Sequence, residues 1–323
     1  MYEERAGAFD PTQFWRIHHW NLQCIAARKH RQSHASEVTV APGKKHKHET
    51  APDKEHSKNG DHEALHARLT VADDSDHTSS DANTGEVVLH NPFEGDAMAK
   101  QLNESLGAFL ARLPPSTTTV EEGPWIWIAN PHSPDRRPSP DLGGFKQAGA
   151  ALLGEFMGRK RKLEQASPRR TPGSITHLMR PDRDWLESAI IELAKSKHVT
   201  SGKWMVFPKP DHVDNIWATI AKATMEGRLG SSAKVQTDHR SPKPERLIGI
   251  YTHDFSDVID VKRVLKEMKR LGLVKGEADS RPIYYKCDAY TYLDIQSNNE
   301  YKLKASMYNS RDLFHDMASK DHK

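Results

Sequence analysis

Three lysines, Lys203, Lys234 and Lys286, each fall in or at the edge of a short run that reads as a β-strand. Tyr251 and His253 lie on and just after another such run, which Arg246 opens. A sheet that gathered these residues on one concave face would offer several donors to a phosphate or a carboxylate. His253 would supply a proton there, and a lysine desolvated among other cations would serve as a base. Trp204, beside Lys203, adds a plane on which a nucleotide base can stack while lysines hold its phosphate, and Trp125 and Trp127 share that possibility. The same lysines also fit a plainer role, since charged residues on strand edges keep sheets soluble. Which strand faces coincide is not written in the sequence, because a one-residue slip turns every side chain over.

Other chemical signatures are few. The chain has no GxxxxGK[ST] loop, no GxGxxG, no CxxC and no GxSxG. His62-Glu63-Ala64-Leu65-His66 matches the HExxH zinc pattern by its letters, but it sits in a polar tract without the helix that would put both histidines on one face. The histidines of residues 43–49 belong to the same tract, where solvated chain lacks a fixed ligand geometry. No metal and no cofactor are therefore expected. Cys287 follows Lys286 on an aromatic strand and reads as a small core residue more readily than as a nucleophile. Arg159-Lys160-Arg161-Lys162 reads as the solvated basic end of a helix, with nuclear import as the sharper alternative.

The elements that must position these residues centre on residues 201–237. A strand at 203–207 is stopped by Pro208 and Pro210, and Asp211 is placed to cap the helix that follows. Val213, Ile216, Trp217, Ile220 and Thr224 give that helix an apolar face, and a strand at 233–237 comes next. Upstream, apolar spacing predicts a helix over 93–113, a strand within 123–131 and a helix from Leu142, followed by a loop at 167–172 and a helix at 182–195. Downstream, the pattern predicts a strand at 246–251, a helix at 256–271 capped by Ser256, and strands at 282–295 and 301–308. Trp185 and Trp217 are expected in the core, where their large surfaces are best buried.

The chain's 323 residues carry 28% charged residues and a net charge of only +3, so global charge does not point to nucleic acid. Two cysteines exclude a disulfide framework, and no apolar run approaches a membrane span, which places the protein in the cytoplasm or, through the basic run, in the nucleus. The expected organisation is an amphipathic helix at 1–27, a disordered His-rich linker at 28–90, a folded α+β domain at 91–315 and a charged tail at 316–323. The N-terminal helix either packs on the domain or docks a protein partner.

The runs SGKWMVF, VDNIWATI and AKVQT, with residues 113–131, 247–255 and 283–295, resemble the basophilic-leukaemia-expressed (Bles) family, over about 91–315. That resemblance implies a fold similar to the cap-binding translation initiation factor 4E, a curved, mainly antiparallel sheet backed by helices. The factor's cap-recognition pattern, a tryptophan followed directly by glutamate, has no counterpart here. Bacterial members of the family are sometimes labelled phosphothreonine lyases, a chemistry needing a lysine base, a histidine acid and a cationic cradle. The leading expectation is non-catalytic binding of a phosphorylated ligand, a nucleotide or an RNA end, at Lys203, Trp204, Lys234, Arg246, Tyr251, His253 and Lys286. The alternatives are phosphothreonine-lyase-type elimination on a phosphopeptide, and a protein-interaction adaptor.

Overall fold

Alternation of bulky and small or polar residues builds six short strands into one open sheet. They are β1 (Trp125–Ala129), β2 (Gly202–Val206), β3 (Ser232–Gln236), β4 (Ile248–Thr252), β5 (Tyr284–Cys287) and β6 (Tyr308–Asn309). Their spatial order is β1-β3-β4-β2-β5-β6, and every strand pairing is antiparallel. This computed structural model describes residues 89–133, 137–240, 245–275 and 281–320. The N-terminal helix expected at 1–27, almost all of the linker and the His62–His66 match lie outside those residues.

Eight helices accompany the sheet among the described residues: α1 (Leu106–Arg112), α2 (Leu142–Ala166), α3 (Pro172–Leu178), α4 (Arg180–Ser196), α5 (Pro210–Met225), α6 (Val258–Arg270), α7 (Asp288–Tyr292) and α8 (Ser310–Lys320). The fold is thus the α+β class that the sequence pattern predicts. None of these helices is long and apolar enough to cross a membrane.

Register explains the core. The face that pairs Ile126 with Val235, Val235 with Ile248, Ile250 with Trp204, and Trp204 with Tyr285 is fully buried. Helix α6 covers it, burying Val261, Val264, Leu265 and Met268, and the Trp204 indole donates to the Val261 carbonyl at 3.1 Å. Helix α5 lays Val213, Trp217 and Ile220 against β1 and β3. Removing such a side chain from water stabilises the fold by roughly 1.5–3 kcal/mol each. On the other face, α2 comes so close to the segment after α7 that a Cβ at Gly149 would meet Leu293 at 2.5 Å.

Several boundaries differ from the sequence reading, each for a local reason. Of the helix expected over 93–113, only α1 forms; ahead of it, Gln101 Nε2 donates to the Asp96 and Ala99 carbonyls, both at 2.9 Å, and holds a series of turns. Pro210 occupies the first turn of α5 behind Lys209, and Asp211 follows it rather than capping. Asp257, not Ser256, caps α6, accepting from the Ile259 and Asp260 amides at 3.1 Å. The strand expected over 282–295 stops at Cys287, because Asp288 is drawn into contact with β2 and α7 begins there. The strand expected at 301–308 shrinks to β6, and the residues after it form α8. Part of the stretch after Ser167 is also helical, since Thr171 caps α3 and Pro172 fills its first turn. The basic run Arg159–Lys162 lies inside α2, where the Arg159 guanidinium sits 4.2 Å from the Trp185 ring centre and pairs with Glu155 and Asp182.

Candidate functional site

The face opposite the core carries the lysines. Lys234 pairs across the sheet with Trp127 and Gly249, Tyr251 with Lys203, and Lys203 with Lys286. All three lysines therefore project from one face, along a row spanning β3, β4, β2 and β5, and each is buried. Gly249 makes room between them, for a Cβ there would touch the Lys203 stem at 3.3 Å and the Lys234 stem at 3.9 Å.

Each amine is housed differently. Lys203 pairs with the Asp288 carboxylate and donates to Thr291 Oγ1 at 3.3 Å. Lys286 donates to the Ile295 carbonyl at 2.7 Å, and burial, reinforced by the Lys203 charge, lowers its pKa to about 7. Lys234 lies against aromatic faces, 4.0 Å from the Trp125 ring centre, 4.8 Å from Trp127 and 5.6 Å from Tyr251. Burial pushes its pKa well below the ordinary lysine value, with the neighbouring Lys203 charge adding to the effect. Cation–π contact with three rings recovers part of what desolvation costs.

Beside this row, at the end of β4, opens a cleft of about 290 Å³. Tyr251, His253, Asp288, Ser201, Ser133 and Arg137 line it, and Tyr292, His198 and Asn130 are among the other polar residues of its wall. Backbone contacts build it: a Cβ at Gly230 would fall 1.7 Å from the Tyr251 carbonyl oxygen, so only glycine lets the β3 approach run so close to β4. Asp288 closes the floor, accepting from Ser201 Oγ at 2.6 Å as well as from Lys203. His253 Nε2 lies 3.0 Å from Ser133 Oγ, and its carbonyl accepts from Arg137 Nη1 and from Thr200 Oγ1. Arg137 also donates to Thr200 Oγ1 at 2.6 Å. Tyr251 is only 9% exposed, and among the described residues nothing partners its hydroxyl. Burial raises its pKa well above the usual phenol value, with Asp288 adding to the effect, so it keeps its proton at neutral pH.

A family model described as basophilic leukemia-expressed protein Bles03 matches residues 2–294. The chain belongs to the Bles03 family. The match spans the sheet from β1 to β5 together with α1 to α7, and it takes in the His-rich segment that the sequence resemblance, at about 91–315, left out.

Within this Bles03 chain the residues singled out by sequence separate into three groups. Tyr251 and His253 line the cleft. Lys203, Lys234 and Lys286 share a face beneath and beside it without lining it. Trp204 and Arg246 are elsewhere: Trp204 alternates onto the core face, and Arg246 pairs with Asp238 at 2.7 Å beyond the opposite end of β4. That end is roughly 20 Å from His253 along an extended strand. Cys287 lies fully buried in the core, where desolvation pushes its thiol up to about 12, unsuited to nucleophilic work. Sequence reasoning missed Ser133, Arg137, Ser201 and Asp288. The first two sit in a proline-rich loop with no period to read, and Asp288 lies in a run whose alternation reads as a strand.

Proposed function

We propose that the protein binds a small phosphorylated ligand, a nucleotide or the end of an RNA, in the cleft at the end of β4. The observation that carries this reading is Tyr251: a residue only 9% exposed, whose hydroxyl has no protein partner among the described residues, lining a cleft together with Arg137, His198 and His253. A hydroxyl with no protein partner can donate to a phosphate oxygen, a bond worth about 0.5–1.5 kcal/mol. Cleft size favours a ligand no larger than a mononucleotide, because volumes near 300 Å³ lie at the lower end for small-molecule sites. Lysine-driven elimination from phosphothreonine has less support, since no lysine of the row is among the residues lining the cleft.

A thermal-shift screen tests the proposal with AMP, a 5′-phosphorylated RNA and a phosphothreonine peptide against the full chain. A ligand at 100 times its dissociation constant should add about 2.7 kcal/mol of stability. The expected result is a rise in melting temperature with AMP or the phosphorylated RNA. Consumption of the phosphopeptide would favour elimination, and the absence of any shift would overturn the binding reading.

A further inference from the structure

We infer that Ser133 and His253 form a nucleophile–base pair that cleaves a carboxylic ester carried by the phosphorylated ligand of this cleft. The inference rests on the proposed ligand for its phosphate and on separate geometry for its chemistry. Ser133 Oγ and His253 Nε2 are 3.0 Å apart, within the range over which a positioned imidazole takes a hydroxyl proton, and both residues line the cleft. The base is held in place, because hydrogen bonds from Arg137 and Thr200 pin the His253 carbonyl directly after β4. Tyr251, two residues earlier, lines the same cleft and brings a protonated hydroxyl with no partner among the described residues. A hydroxyl in that setting is suited to meet negative charge as it develops on a carbonyl oxygen.

The step balances without a further reactant than water. Ser133 Oγ bonds to the ester carbon as its proton passes to His253 Nε2, and the carbonyl oxygen, now anionic, accepts from the Tyr251 hydroxyl. The bond from carbon to the alkoxy oxygen then breaks, and Nε2 returns the proton to the departing phosphorylated alcohol. Water, losing a proton to Nε2, attacks the acyl-serine and releases the carboxylic acid, which restores Ser133 and the neutral imidazole.

The test uses the full chain and a fluorophosphonate, which phosphonylates activated nucleophiles, serine above all. The expected result is one adduct, located at Ser133 by mass spectrometry, absent in Ser133→Ala and formed at least about 100-fold more slowly in His253→Asn, in line with the usual contribution of a general base. Melting curves of both variants show that loss of labelling is not loss of fold. AMP should slow the labelling, and 3′-O-acetyl-AMP should yield AMP and acetate. A folded wild-type chain that takes no adduct, or a His253→Asn variant labelled at the wild-type rate, overturns the inference and leaves the phosphate reading standing if AMP still shifts the melting temperature. Labelling that AMP does not slow overturns the phosphorylated substrate and, with it, the proposed function.

Discussion

The two faces of one sheet bury different chemistry. On one, Trp204, Ile250, Val235 and Tyr285 pack beneath α5 and α6, and the polar work is internal, such as the indole bond to Val261. On the other, the same short strands hold Lys203, Lys234 and Lys286 nearly as far from water. The first face stabilises the protein through apolar surface and close packing. The second is costly to bury, and stands because Asp288, Thr291, the Ile295 carbonyl and three aromatic rings substitute for the lost water. That contrast teaches that shared burial does not mean shared purpose: the lysine face supports a polar cleft, and the core face supports the sheet.

The largest expected effect comes from the lysine face. Asp288→Ala would strand the Lys203 ammonium and free the start of α7, costing about 3–5 kcal/mol in denaturant unfolding, as buried pairs do when one partner is removed. A cost below about 1 kcal/mol would mean that Lys203 finds water instead. Next, Trp204→Ala should cost about 3–5 kcal/mol through cavity formation, while Trp127→Ala, on a half-buried ring of the opposite face, should cost clearly less. Equal costs would erase the distinction between the faces.

A smaller effect appears as pH dependence. Lys286 titrates near 7 in the folded chain and near its ordinary value when unfolded, so between those limits the unfolded state binds more protons. Stability from this group therefore rises with pH above about 7, by at most about 1.4 kcal/mol per unit. Lys286→Met removes the amine, so the variant's advantage over wild type should be greatest below pH 7 and shrink toward pH 10. A stability difference that stays level with pH would show that the amine remains charged throughout. The smallest effect should come from Ile259, 84% exposed on α6, whose change to Ser should stay within about 0.5 kcal/mol.

Much of the fold was legible because it rests on local, periodic signals. The strand at 203–207, the helix from Pro210 and the capped α6 each repeat apolar residues at the period of their element, and all form within a residue or two of expectation. Their shared register was not legible, since nothing in a strand states its partner, yet the register alone decides that Lys203, Lys234 and Lys286 face together while Trp204 turns away. The cleft was half legible. Tyr251 and His253 stand out by type at the end of a clear strand, whereas Ser133 and Arg137 are placed by a loop whose path depends on tertiary contacts. Asp288 was misread because YYKCDAYTY alternates like a strand, and only its attraction to Lys203 across the sheet explains why the chain turns there.

The central claim is that the cleft, and not the lysine row, receives the ligand. Titration calorimetry with AMP on wild type, Tyr251→Phe and Lys234→Met tests it most directly. The account predicts that Tyr251→Phe weakens binding about tenfold, the worth of one hydrogen bond near 1.4 kcal/mol, while Lys234→Met stays within about threefold of wild type. Binding lost in Lys234→Met and unchanged in Tyr251→Phe would contradict it and return the ligand to the lysines.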